Sequence, residues 1–109
     1  MIRFAHDRVS PHGVQPEIVL ALLMADRVFA AFGQDCLITS LTDGVHSAAT
    51  RHRQGLAVDL RSKTIPEDQK AHFIEGLRDA LPPYYEVYLE DPGGENEHVH
   101  IEYDWKGAP

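Results

Sequence analysis

Arg51-His52-Arg53-Gln54-Gly55-Leu56-Ala57-Val58-Asp59-Leu60 is the stretch on which the fold turns. Leu56 to Leu60 is a short apolar run behind a glycine, the signature of a half-buried strand. Gly55 lets the backbone turn sharply there or come close to a neighbour. His52 then belongs to the loop before the strand and Asp59 to the strand itself. Upstream, Ser40 to Gln54 is polar, with Thr42-Asp43-Gly44 as a turn signal, and Cys36-Leu37-Ile38-Thr39 reads as a buried strand. Before that, Pro16-Glu17 opens a run in which Ile18, Leu22, Ala25 and Phe29 recur at helical spacing, which predicts a helix from Pro16 to Phe32 stopped by Gly33.

Downstream, Thr64 and Glu67 have the spacing of a capping box, with Pro66 close by, and Phe73, Ile74, Leu77 and Leu81 form the apolar stripe of a second helix that Pro82-Pro83 ends. Tyr84 to Leu89 is β-rich. Asp91-Pro92-Gly93-Gly94 is a turn, and His98 to Tyr103 alternates like the returning strand of a hairpin. The expected class is α+β, a small antiparallel sheet with helices packed on it.

A chain of 109 residues supports one core, so a single domain over 1–109 is expected. Ten basic residues scattered among seventeen acids, a net charge of −7, argue against a nucleic-acid partner. No apolar run approaches the about 18 residues of a membrane span, and the N-terminus lacks the apolar core of a signal peptide. The expectation is a monomer made in the cytoplasm. Cys36 is alone in an apolar setting, which excludes an intramolecular disulfide and reads as a buried structural thiol.

The chemistry-bearing residues are His52, Asp59, His98 and His100, at the starts, ends or interiors of expected strands. Three imidazoles and a carboxylate are a ligand set for zinc, which at a catalytic site takes three protein donors and leaves a position for water. His98 and His100, two apart on a strand, share a face. Taken alone, such a pair is more often a solvated or core pair.

Ser47 to Asp59, followed by Glu97-His98-Val99-His100, resembles the motif pair of the D-Ala-D-Ala metallopeptidases, a family of D,D-carboxypeptidases, D,D-dipeptidases and phage L-alanyl-D-glutamate endolysins that shares its fold with the hedgehog signalling domain. The first motif is a His, two residues, Gly, one residue, Ala, one residue and Asp; the second is an acid three residues before a His. The resemblance spans about Leu37 to Tyr103 and implies that His52, Asp59 and His100 bind one zinc and that Glu97 activates a zinc-bound water, with Glu95 as the fallback. His98 and His46 match family positions near the metal that do not ligate it, which implies a catalytic role for both as donors of a hydrogen bond to the tetrahedral intermediate or to a ligand. The implied substrate is peptidoglycan stem peptide, met at the cell wall after release in a phage or prophage setting. The alternatives are a hedgehog-like metal-binding recognition module without catalysis and a hydrolase of another amide.

One departure stands out. Bacterial members carry an Arg after the strand matching Leu37 to Thr39, and Ser40-Leu41-Thr42-Asp43 has none, which leaves Arg51, Arg53 or the histidines to take its role. His6, His12 and His72 read as surface residues. Asp43, Glu90, Asp91 and Glu95 have the oxygens for calcium, which some relatives hold beside zinc, but no complete ligand pattern; a solvated acidic rim is the preferred reading. Tyr84, Tyr85 and Tyr88 read as strand packing and Trp105 as a cover for the sheet edge.

Overall fold

The structure, a computed structural model, describes residues 1–43 and 51–104. Helix α1 runs Pro16–Ala31 with Pro16 in its first turn, where a missing N–H costs nothing. It ends in a Schellman turn: Gly33 has φ +73°, its N–H reaches Ala30 O at 3.0 Å, and the Gln34 N–H reaches Phe29 O at 3.0 Å. Ile18, Ala21, Leu22, Ala25 and Phe29 form its buried stripe. The second helix is preceded by a 3-10 turn at Glu67–Gln69 and runs as α2, Lys70–Ala80. The expected Thr64–Glu67 capping box does not form, because Glu67 is turned to Lys70 at 2.8 Å and the turn carries no side-chain cap. Phe73 joins the helices by meeting Phe29 edge-on at 4.7 Å and Phe32 at 5.3 Å.

Among the described residues five strands make the sheet: β1 (Ile2–Phe4), β2 (Cys36–Ser40), β3 (Ala57–Arg61), β4 (Tyr85–Glu90) and β5 (His98–Tyr103), in the order β1-β2-β3-β5-β4. The sheet is mixed rather than antiparallel throughout, since β1, unforeseen in the sequence, pairs parallel to β2. Three residues carry too little alternation to announce a strand. The other pairings are antiparallel, with a one-residue register shift between Ile38 and Ser40 on β2 that leaves Ser40 opposite Asp59.

Period-2 alternation sorts the central strands into two faces. Val58, Leu60, Val87, Val99 and Ile101 turn into the core with the helix stripes. Asp59, Arg61, His98, His100 and Glu102 take the opposite face, in cross-strand rows fixed by the register: Arg61 with His98 and Glu90, Asp59 with His100 and Tyr88. A scaffold of this kind holds polar groups in place without breaching the core.

Gly55 fixes where the His52 loop enters β3. Its φ is +73°, and a Cβ added to it would lie 2.1 Å from the Gly13 carbonyl oxygen. Its own carbonyl accepts the Gln15 N–H at 2.9 Å, so the two loops are locked backbone to backbone. Gly55→Ala is therefore expected to cost at least about 2 kcal/mol, from left-handed strain and a backbone clash together. Urea unfolding of the variant measures this, and an unchanged midpoint would mean that the contact between the loops is dispensable.

Candidate metal centre

Asp59 is the hub of the polar face. Its Oδ1 lies 2.8 Å from His100 Nδ1 and 3.2 Å from His52 Nε2, and the two imidazole rings are 5.1 Å apart. One donor atom from each of His52, Asp59 and His100 falls within 4.8 Å of the others, a group that could hold a metal ion. The strand register delivers two of the three, because Asp59 on β3 is directly opposite His100 on β5. The tight turn at Gly55 delivers His52, which is 6% exposed.

The partners of the imidazoles suit such a role. His52 Nδ1 is 2.6 Å from the Leu41 carbonyl, which can only accept, so the hydrogen sits on Nδ1 and Nε2 faces Asp59. His100 Nε2 is 2.8 Å from Glu102 Oε1, leaving Nδ1 toward Asp59. A ligating histidine commonly gives its other N–H to a carbonyl or carboxylate, which orients the ring and raises its basicity. Both histidines of the trio have that support.

Charge follows from this geometry. Burial pushes the Asp59 carboxyl up, but hydrogen bonds from His100 and His52 outweigh it and hold the group well below the usual carboxylate range. Burial opposes the charged form of His100 too, yet its bonds to Asp59 and Glu102 raise it to about 9. His52 is raised in the same way, burial working against it and Asp59 for it. In chain stripped by a chelator, His100 is thus a half-buried imidazolium whose folded pKa lies above the usual imidazole value of 6.5. Its stabilising contribution is fully present below that value and is lost as the pH rises through about 9. Stripped protein is expected to melt several degrees lower at about pH 9.5 than at about pH 6.5, with equal melting points arguing that the ion pair does not form.

The remaining expected site residues are placed as follows. His98 is beside the trio, its Nε2 3.7 Å from Asp59 Oδ1 and 3.2 Å from Glu90 Oε1. Glu97 is 5% exposed. Its carboxylate accepts from Lys70 Nζ on both oxygens, at 2.7 and 2.9 Å, from the Ser62 hydroxyl at 2.6 Å and from the Gly93 N–H at 3.0 Å. Burial alone would raise its pKa; these donors bring it to about 2. Glu97 and Asp59 nevertheless share the wall of one cavity of about 570 Å³, with Arg61, Lys63 and His98. His46 and Trp105 lie outside the described residues.

Several contributors were not singled out for this site from sequence. Glu102 backs His100, Tyr88 stacks on the His100 ring at 6.3 Å, and His6, expected at the surface, lines the cavity. Arg51 is committed to Asp104 at 3.0 Å, whereas Arg61 faces the cavity. Tyr85 packs inward with its hydroxyl donating to Glu17 O at 2.6 Å. Asp43 accepts the Ser10 and Leu41 N–H groups at 3.0 and 2.8 Å and pins a loop. Among the described residues, no metal-capable group includes Asp43, Asp91 or Glu95. Cys36 is fully buried and its thiol is pushed up to about 12, chiefly by burial, the state of an inert structural residue.

No protein-family model matches the chain, and comparison with curated proteins and with solved structures returns no match. Among the described residues no helix is long and apolar enough to cross a membrane.

Proposed function

We propose that this chain is a zinc-dependent peptidase of the D-Ala-D-Ala metallopeptidase kind, with the hedgehog-like fold of that family, and that it hydrolyses an amide bond of peptidoglycan stem peptide. The observation that carries the reading is the convergence of His52, Asp59 and His100, each histidine backed by an acceptor, on residues that stand in the order and spacing of the family's motif pair. A three-donor set of two nitrogens and one carboxylate is what catalytic zinc takes. When bound, zinc supplies Lewis acidity and lowers the pKa of a water to about 7.

The chain's own residues supply the rest. Glu97 is the general base: it takes a proton from the attacking water and returns it to the departing amine. Held at about 2 by Lys70 and its other donors, it is a carboxylate at every working pH, and substrate that draws Lys70 Nζ away strengthens it as a base. Arg61 and Lys63 give the cavity two cations suited to the carboxylates of a stem peptide. Arg61 also stands beside Asp59, where it can serve the charge that develops on the amide oxygen in place of the arginine missing after β2.

A second reading is supported by one observation. A carboxylate with every oxygen occupied by Lys70, Ser62 and Gly93 is also what a purely structural acid looks like, and a metal site without a base is a hedgehog-like recognition module. Incubation with purified muropeptides, with zinc and then with a chelator, separates the two by mass spectrometry. New amine and carboxyl termini that depend on zinc are expected; intact muropeptides in the presence of zinc-loaded protein would favour the recognition module.

A further inference from the structure

We propose that Asp59, Glu90 and His98 hold a second divalent metal ion beside the first, with the Asp59 carboxylate shared between the two. The inference rests on the reading that His52, Asp59 and His100 bind a metal, and extends it to donors that this reading leaves aside.

Three observations support it. The register places His98 of β5 opposite Glu90 of β4, one row along from the Asp59–His100 pair. Both side chains therefore rise from the sheet on the metal face. One donor atom from each of Asp59, Glu90 and His98 lies within 4.8 Å of the others, with His98 Nε2 3.2 Å from Glu90 Oε1 and 3.7 Å from Asp59 Oδ1. Donors about 2.0 to 2.2 Å from one ion are a little over 3 Å apart, so little adjustment is needed.

The tautomer of His98 is fixed in the same sense as that of His52. Its Nδ1 is 2.7 Å from the Asn96 carbonyl, which can only accept, so Nε2 is the nitrogen presented to Asp59 and Glu90. A histidine that only covered the sheet would have no need of a backbone acceptor that turns its other nitrogen toward two carboxylates. Paired ions about 3.5 to 4 Å apart are a known device of hydrolases, and both groups meet Asp59 at the same oxygen, Oδ1, so a small turn of the carboxylate is what would give each ion its own oxygen. The second group adds Glu90 and His98 to Asp59, a carboxylate-rich set that suits zinc, cobalt or manganese.

Affinity should be unequal. The Glu90 side chain is 49% exposed and Asp59 is already engaged, so the second ion is expected to bind about tenfold or more weakly than the first, ligand charge and rigidity being what sets affinity.

Equilibrium dialysis of the full chain against zinc, and separately against cobalt, tests this with metal content as the readout. Wild type is expected to saturate at two equivalents, and Glu90→Gln and His98→Ala at one, with the tight equivalent kept in both. In cobalt-loaded wild type the magnetic resonance signal of the first equivalent should be weakened by coupling when the second binds, and remain in Glu90→Gln. Saturation at one equivalent in wild type overturns the shared site and leaves the first standing, including the case where His98→Ala loses that single ion and proves to be its fourth ligand. No bound metal in wild type overturns both. Circular dichroism of the two variants, whose replaced side chains lie at the surface of the sheet, establishes that they are folded.

Discussion

Replacing His52 and His100 together by alanine is expected to abolish the tight zinc binding proposed for this chain. The two imidazoles are two of the three donors of the His52–Asp59–His100 trio, and what remains, Asp59 with His98 and the half-exposed Glu90, is expected to hold zinc too weakly to survive dialysis. Loss of even an outer partner of a ligand typically costs 10- to 100-fold in metal affinity, so loss of two ligands is expected to cost about 1000-fold or more. Zinc uptake by the wild type is also expected to carry a proton signature. His100, with a pKa of about 9 in the stripped chain, must give up the proton on Nδ1 before that nitrogen can bind. At about pH 7.5 binding should release protons, and affinity should fall as the pH is lowered. Stoichiometric zinc surviving dialysis of the double variant would remove the basis for the whole assignment.

Glu97→Gln is expected to lower turnover at least about 100-fold while leaving zinc content unchanged, the loss typical of a missing general base. Glutamine keeps the size of the side chain and one acceptor, but cannot take a proton. It also leaves Lys70 with Glu67 as its only close acid among the described residues, so the variant should lose about 1 to 3 kcal/mol of stability as well. The two effects are measured separately, turnover on muropeptides and unfolding in urea. A stability loss without an activity loss would mean that Glu97 serves only as the counterion of Lys70, and the base would have to be sought elsewhere.

The legible part of this molecule was the part written in local periodicity. Ile18, Leu22, Ala25 and Phe29 announce α1, and the alternation of His98, His100 and Glu102 with Val99 and Ile101 announces β5 and which residues share its face. His52, Asp59 and His100 were legible because two motifs fix them in order. What escaped is what depends on register and on distant partners. Glu90 meets His98 only because the Asp91–Glu97 connection sets the hairpin pairing at Glu90 with His98, and seven residues of turn leave that register unspecified in advance. Glu102 was invisible as a support for His100 because neighbours two apart on a strand gain meaning only once the ring's other nitrogen is placed. Nothing local marks Lys70, and its role follows from α2, which brings it over Glu97. Arg61 reads as a strand-end charge, and only the cavity beside Asp59 gives it a use. β1 was missed because its pairing with β2 is parallel and remote, and parallel partners leave no turn between them to read.

X-ray absorption at the zinc edge, on wild-type protein carrying one equivalent, tests the central claim most directly. Donors from His52, Asp59 and His100 predict a shell of nitrogen and oxygen at about 2.0 to 2.2 Å, with imidazole scattering from two histidines that disappears in the His52→Ala, His100→Ala variant. A sulfur shell at about 2.3 Å, which only Cys36 or a methionine could supply, or an imidazole contribution unchanged in the variant, would contradict it.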